Sequence, residues 1–194
     1  VTGDLITLAL EGEFDVIIHG CNCYNTMGAG IARAVRDRLP EAFAADRATV
    51  KGDLEKLGTY TSAEIVRGDV RFTVINAYTQ GNYRGSGALV DYDAIRSNFR
   101  AVAKNFPDAR IGYPKIGAGL AGGDWDRIAA IIDEAIDGNR ETKYLLGHTF
   151  SFPSQQTDLY NAKLIVWTKD KIKKVKGNKE KVIKSPQPTK LNNE

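Results

Sequence analysis

Two glycine-rich segments each stand between a β-type run and a helical run, and they are the residues of this chain best suited to hold a phosphate. They span residues 20–30 and residues 117–123. Glycine allows a tight turn and a close backbone approach, so N–H groups at the start of a helix can face an anion. A single loop of this kind is more often only a turn, whereas two of them predict a site for a diphosphate.

Neither segment fits a common nucleotide-binding pattern. The chain contains no Gly-Lys-Ser or Gly-Lys-Thr, which excludes a P-loop. Residues 117–122 have the G-x-G-x-x-G spacing, but they lie late in the chain. No carboxylate closes a following strand at the offset that a ribose contact requires. A nicotinamide cofactor is therefore not expected.

The cysteines and histidines do not form a recognisable metal site. Cys21 and Cys23 stand two residues apart, which does not suit a disulfide, and His19 beside them gives no known zinc spacing. An apolar strand end raises the pKa of a thiol and leaves it inert. We expect two reduced thiols that pack in the core, with no metal and no other cofactor.

The elements that must position these loops follow an α/β pattern, because short β-rich runs alternate with longer amphipathic stretches. Strands are predicted at residues 14–19, 70–78, 109–114 and 164–167. Helices are predicted from Ile31 to Pro40, over residues 92–106 and over residues 125–136, with Asp91 and Asp124 as caps.

Length and composition indicate one globular domain. The chain has 194 residues, of which 42% are hydrophobic and 26% charged, so wholesale disorder is excluded. No apolar run approaches the roughly 20 residues of a bilayer span, and no leader peptide is recognisable. We expect a cytoplasmic monomer without membrane contact.

The charge is divided between a body and a tail. Residues 169–194 hold nine lysines against three acidic residues, a net charge of +6, so residues 1–168 carry −3 of the total of +3. We predict a domain over residues 1–168 and a flexible basic tail over 169–194. An alternative role for the tail is weak, salt-sensitive contact with nucleic acid, although no aromatic residue interleaves with its lysines.

Five segments of the chain occur in an order and at a spacing that match a known family: residues 1–5, 19–22, 27–32, 76–80 and 114–125. Their order and spacing resemble the macro domain, a family that binds ADP-ribose, over residues 1–136. The resemblance implies a three-layer α/β/α sandwich with a mixed central sheet. Within the family, the chain is most similar to the branch of ADP-ribose 1″-phosphate phosphatases, which has phage and bacterial members.

The resemblance implies roles for individual positions. Asp4, with Gly3 and Leu5 beside it, matches the aspartate that accepts from the adenine amino group, although a turn or helix-cap aspartate is the alternative. Asn22 matches the asparagine that binds the distal ribose hydroxyls. The remaining substrate-binding positions are Gly28, Ala29, Gly30 and Ile31 in the first phosphate loop, Tyr78 after the second strand, and Gly117, Ala118, Gly119, Leu120, Ala121 and Gly122 in the second loop.

His19 and Asp124 are the candidate catalytic residues. His19 ends its strand three residues before Asn22, and it is predicted to face the distal ribose and to exchange a proton near neutral pH. The alternative is a buried histidine satisfied by the backbone. Asp124 follows the second loop and is predicted to orient or deprotonate a water, with a cap on the helix at Trp125 as the alternative.

Two positions depart from the branch of macro domains that remove ADP-ribose from glutamate. That branch uses a lysine where this chain has Gln80, and an aspartate where it has Ala121. Glutamine cannot form a Schiff base with the opened ribose. Ala121 also replaces an aromatic residue that often covers the distal ribose, so the pocket is expected to be more open there.

Three functions remain open at this stage. The first is hydrolysis of ADP-ribose 1″-phosphate, the second is non-catalytic recognition of free or conjugated ADP-ribose, and the third is removal of ADP-ribose from protein or nucleic acid. Because the sequence begins almost directly at Gly3 and Asp4, we also expect a first strand that is short or trimmed.

Overall fold

The computed structural model describes residues 3–137. The predicted strand at residues 164–167 and the basic tail at residues 169–194 lie outside the described residues, as does most of the carboxyl-terminal part of the predicted domain. Within the described part, no helix is both long enough and apolar enough to cross a membrane.

The centre of the described fold is a mixed four-stranded sheet. Its strands are β1 (Val16–Asn22), β2 (Tyr60–Arg67), β3 (Val70–Gln80) and β4 (Ile111–Gly112), in the order β2-β3-β1-β4. β1 is parallel to both β3 and β4, whereas β2 runs antiparallel to β3. The carboxyl ends of the three parallel strands therefore meet at one edge of the sheet.

Helices cover both faces of the sheet because successive side chains of its strands point to opposite faces. Ile17 packs in a cluster with α1 (Leu5–Leu10), α2 (Gly30–Arg38) and α3 (Pro40–Arg47). Its neighbour Ile18 packs with α4 (Tyr92–Asn105) and α5 (Trp125–Asp137). This arrangement confirms the predicted α/β/α layers with a mixed sheet.

Two α-helices and one strand of the described part were not predicted from the sequence: α1, α3 and β2. Asp4 begins a helix where a short first strand was expected, because its side chain accepts a hydrogen bond from the backbone N–H of Thr7. Pro40 ends α2 and also occupies the first turn of α3, where its missing N–H is not needed. β2 is an edge strand with a largely exposed, polar sequence, and this weakens its hydrophobic alternation.

Candidate functional site

A cavity of about 610 Å³ lies at the edge where β1, β3 and β4 end. Its walls come from the ends of these strands and the segments that follow them, including Asn22 at the end of β1, Gln80 at the end of β3, and Lys115 beyond β4. Ligands of open α/β sheets bind at this edge because the loops there converge. The volume falls within the range of about 300–1,000 Å³ typical of small-molecule sites.

The first glycine-rich loop joins β1 to α2 and forms one wall of the cavity. Asn22 fixes its turn, since its Oδ1 accepts from the Tyr24 N–H at 2.9 Å and its Nδ2 donates to Thr26 Oγ1 at 2.8 Å. Gly30 has a left-handed φ of 56° and begins α2. Ala29 stands at the N-cap of α2 and offers no side-chain hydrogen bond, so the first N–H groups of this helix lack a side-chain cap.

The second glycine-rich loop forms the opposite wall and packs on the core. Gly117 has a φ of 75°, and the loop closes on itself through a hydrogen bond from the Gly123 N–H to the Gly117 carbonyl oxygen at 2.9 Å. Leu120 is 78% exposed and reaches toward Gly30 of the first loop. The two loops thus face each other across the cavity, as predicted for a diphosphate site.

The structure brings ten of the predicted site residues to the cavity. They are Asn22, Gly28, Ala29, Gly30, Ile31, Gly117, Ala118, Gly119, Leu120 and Ala121. All ten belong to the two loops or to the strand end that precedes the first loop. The rest of the predicted set lies elsewhere: Gly3, Asp4, Leu5, His19, Tyr78, Gly122 and Asp124 do not line the cavity.

His19 is buried away from the cavity, which corrects the prediction that it faces the distal ribose. It is 1% exposed, and its Nε2 lies 2.7 Å from Asn76 Oδ1. Asn76 Nδ2 donates to the Ala42 carbonyl oxygen and to Thr61 Oγ1, so Asn76 Oδ1 must accept from His19. Burial lowers the pKa of His19 to about 4, although the hydrogen bond to Asn76 opposes this shift.

Asp124 is exposed and caps α5, so its predicted position beside a reacting water is also wrong. Its Oδ1 accepts from the N–H groups of Asp126 at 2.9 Å and Arg127 at 3.4 Å. Its own N–H donates to the hydroxyl group of Tyr92. The cap, which was the alternative for this residue, accounts for these contacts.

Replacing Asp124 with alanine is expected to lower the free energy of unfolding by about 1 kcal/mol, because α5 loses its N-cap. Urea denaturation measures this change. Asp126→Ala is a matched control, since it removes a carboxylate from the first turn of the same helix but leaves the cap. A loss of ligand affinity without a loss of stability in Asp124→Ala would contradict this assignment.

Asp4, predicted to bind the adenine, and Tyr78, predicted to bind the substrate, form hydrogen bonds within the protein. Asp4 Oδ1 accepts from the Thr7 N–H and from an Arg38 guanidinium N–H, both at 2.7 Å. Burial raises the pKa of Asp4, but the hydrogen bonds from the hydroxyl and N–H groups of Thr7 and from Arg38, together with the charge of Arg38, outweigh this effect and lower the pKa. Tyr78 is buried, and its hydroxyl group donates to Asp46 Oδ1 at 2.8 Å.

Both thiols are free and buried, as expected. Burial raises the pKa of Cys21 well above its usual range, and the carboxylate of Asp46 adds to this effect. Cys21 lines the cavity and packs with Cys23 and Met27. A thiol that stays protonated is a poor nucleophile, so the cysteines serve packing.

Sequence reasoning missed two charged residues of the cavity wall, Asp46 and Lys115. Lys115 stands directly before the second glycine loop, so the loop itself was a signal for it. Asp46 belongs to α3, which is remote in sequence from either loop. No local pattern marks Asp46, because only the packing of α3 on the sheet brings it to the cavity.

Three known proteins show similarity to this chain over most of its length. An uncharacterized 17.5 kDa protein of the tk-vs intergenic region of Enterobacteria phage T4 is 34% identical over 139 residues, which are 69% of this chain and 86% of the relative. The macrodomain of Mycobacterium tuberculosis DarG superposes with a TM-score of 0.57 at 24% identity, covering 71% of this chain and 88% of that one. Thermosipho africanus DarTG in complex with ADP-ribose gives a TM-score of 0.56 at 14% identity, with 72% of this chain and 38% of that one covered.

A model of the hexokinase family matches residues 125–184, which is less than half of the chain. Of this stretch the structure describes α5, whose buried side chains pack in the core cluster shared with α4. None of the α5 residues lines the cavity. A match of this extent does not establish membership of the hexokinase family.

The macrodomain structures agree with the fold of this chain. The phage protein matches over most of its own length, and so does the DarG macrodomain. The resemblance seen in five ordered sequence segments therefore extends to the three-dimensional structure. The chain has the macrodomain fold and is related to the phage protein.

Proposed function

We propose that the cavity binds ADP-ribose, with the diphosphate between the two glycine-rich loops. The observation that carries this proposal is the amino end of α2, which has no side-chain cap at Ala29 and lies on a cavity wall opposite the second loop. Free N–H groups and the helix dipole favour a negative charge at this place. The complex of Thermosipho africanus DarTG with ADP-ribose, which shares the fold, supports the choice of ligand.

The distal ribose would lie beside Asn22, at the end of β1 next to the first loop. The adenine would lie toward Asp4. Because Asp4 Oδ1 already accepts from Thr7 and Arg38, an adenine amino group would bind to Oδ2. The ligand would thus span from α1 to the carboxyl end of β1.

We further propose that the site hydrolyses ADP-ribose 1″-phosphate, the activity that the resemblance implies. Water would attack the phosphorus atom, the bond from phosphorus to the 1″ oxygen would break, and that oxygen would leave as a hydroxyl group. His19 and Asp124 do not line the cavity, so the rate enhancement would come from positioning and from the N–H dipoles of the loops. Gln80 on the wall supports this choice over a lysine-dependent mechanism, since it cannot form a Schiff base.

Ala29→Asp is expected to weaken ADP-ribose binding about tenfold or more while stabilising the protein by about 1 kcal/mol. The new carboxylate would cap α2 and occupy the place of the diphosphate, so affinity and stability change in opposite directions. Calorimetric titration with ADP-ribose and thermal denaturation measure the two effects. Ala29→Asn is the matched control, because it caps the helix without adding a charge.

The same samples separate the open functions. Binding with phosphate release from ADP-ribose 1″-phosphate would support the phosphatase, and binding without release would favour a reader or a hydrolase of another ADP-ribosyl bond. If the wild type did not bind ADP-ribose, or if Ala29→Asp bound it as tightly as the wild type, the proposed place of the diphosphate would be wrong.

A further inference from the structure

The inner wall of the cavity contains a buried carboxylate that no predicted role uses. Asp46 is fully buried, yet it lines the same cavity as the two glycine loops. Its Oδ1 accepts from the hydroxyl group of Tyr78 at 2.8 Å. Its Oδ2 is buried and has no hydrogen-bond partner among the described residues.

An unsatisfied carboxylate oxygen is costly inside a protein, so it calls for a partner. Lys56 does not fill this role, because its Nζ donates to Asn25 Oδ1 and to Thr49 Oγ1 at 2.9 Å, and Oδ2 receives no hydrogen bond from it. Tyr78 holds the other oxygen and does not line the cavity. Because Asp46 lines the cavity, a ligand bound there is the candidate donor to Oδ2.

Asp46 lies at the end of the cavity where Asn22 lies. Its partner Tyr78 is aligned with Cys21 in the pairing of β1 with β3, and Asn22 follows one residue later opposite Gln80. Cys21, Asn22 and Gln80 all line the cavity. Under the proposed function, this is the end that holds the distal ribose.

We propose that Asp46 Oδ2 accepts a hydrogen bond from a hydroxyl group of the distal sugar, and so makes this end of the cavity selective for a polyol. The inference rests on the proposed function. An ionised carboxylate can only accept hydrogen bonds, and a sugar hydroxyl group can donate one to Oδ2. Charge-assisted hydrogen bonds of this kind are stronger than neutral ones.

Asp46 Oδ2 is closed to solvent. Burial raises its pKa, while the hydrogen bond from Tyr78 and the positive charge of Lys56 oppose this shift and favour the ionised form. A ligand reaches Oδ2 only if a side chain of the wall moves. Met27 lines the same cavity and packs with Tyr78 and Cys21, and its unbranched thioether can change rotamer.

The test compares ADP-ribose with ADP, which lacks the distal ribose, by calorimetric titration of the full chain. Asp46→Asn and Asp46→Ala are expected to weaken ADP-ribose binding about tenfold and to leave ADP binding undiminished. ADP also reports that each variant still folds at the site. Asp53→Asn is the matched control, because Asp53 is an aspartate of a neighbouring turn that does not line the cavity.

An equal loss of affinity for both ligands would show that Asp46 has only a structural role. Unchanged affinity for both would show that Asp46 does not contact the sugar. Either result overturns the inference while leaving the proposed function intact. If the wild-type protein bound neither ligand, the proposed function would be wrong as well. If the variants fail to fold, ADP-ribose analogues that each lack one distal hydroxyl group provide a second measurement on the wild type, and equal affinity for all of them overturns the inference.

Discussion

Replacing Gly117 with alanine is expected to lower the free energy of unfolding by about 2–5 kcal/mol. The φ of Gly117 is 75°, a left-handed conformation that costs other residues roughly 1–2 kcal/mol. A methyl group at this position would lie 2.7 Å from Val90 Cγ2 and 3.1 Å from Ile95 Cδ1. Such overpacking adds about 1–3 kcal/mol. Since Gly117 also lines the cavity, ligand affinity is expected to fall with stability.

Gly119 provides the matched control for this substitution, because it belongs to the same loop and also lines the cavity. A methyl group on Gly119 would meet nothing within 4 Å. Urea denaturation of Gly117→Ala, Gly119→Ala and the wild type measures the difference. Similar denaturation midpoints for the two variants would show that the second loop is not held by the core in the way the structure indicates.

The free energy of unfolding is expected to rise by about 3 kcal/mol from pH 4 to pH 6.5 through His19 alone. Burial lowers the pKa of His19 to about 4, against an ordinary value of about 6.5. Between these values the unfolded chain binds a proton that the folded protein does not. Acid therefore stabilises the unfolded state, and stability falls as the pH drops through this interval.

His19→Gln is expected to lose this part of the pH dependence, because glutamine does not titrate and retains an amide donor for Asn76. Urea denaturation at several pH values between 4.5 and 7 measures the slope for the wild type and the variant. His148→Gln removes the other histidine of the chain and serves as the control. If His19→Gln kept the slope of the wild type, another group would be responsible and His19 would not be buried as a neutral imidazole.

Gly117 and His19 connect the cavity walls to the helical layers on the two faces of the sheet. Gly117 joins the second loop to Val90, Ile95 and Ile128, which belong to the core between the sheet and the pair α4 and α5. His19 supports the other face, where Asn76 ties β3 to the Ala42 carbonyl oxygen of α3. The cavity walls are therefore fixed by the packing of both helical layers.

Local patterns in the sequence were sufficient for the elements that bury a continuous apolar face. β1, β3, α4 and α5 were predicted because their hydrophobic residues recur with the period of a strand or of a helix. The edge strand β2 and the short helices α1 and α3 were not predicted, since an exposed strand and a helix of six or eight residues carry little periodic signal.

The sequence by itself determined the α/β class, the resemblance to the macro domain and the two loops that face each other across the cavity. Glycine spacing next to strands and helix starts is a local property, so it can be read without knowledge of distant contacts. Only the tertiary structure decided the positions of His19 and Asp46. His19 stands near a strand end, where a side chain can face either side of the sheet. Asp124 precedes a helix and caps it because the N–H groups of the first turn are near. Asp46 reaches the cavity because α3 packs on β2 and β3. The outcomes for His19 and Asp46 depend on contacts between segments far apart in the chain, which no local pattern records, whereas the cap at Asp124 is local.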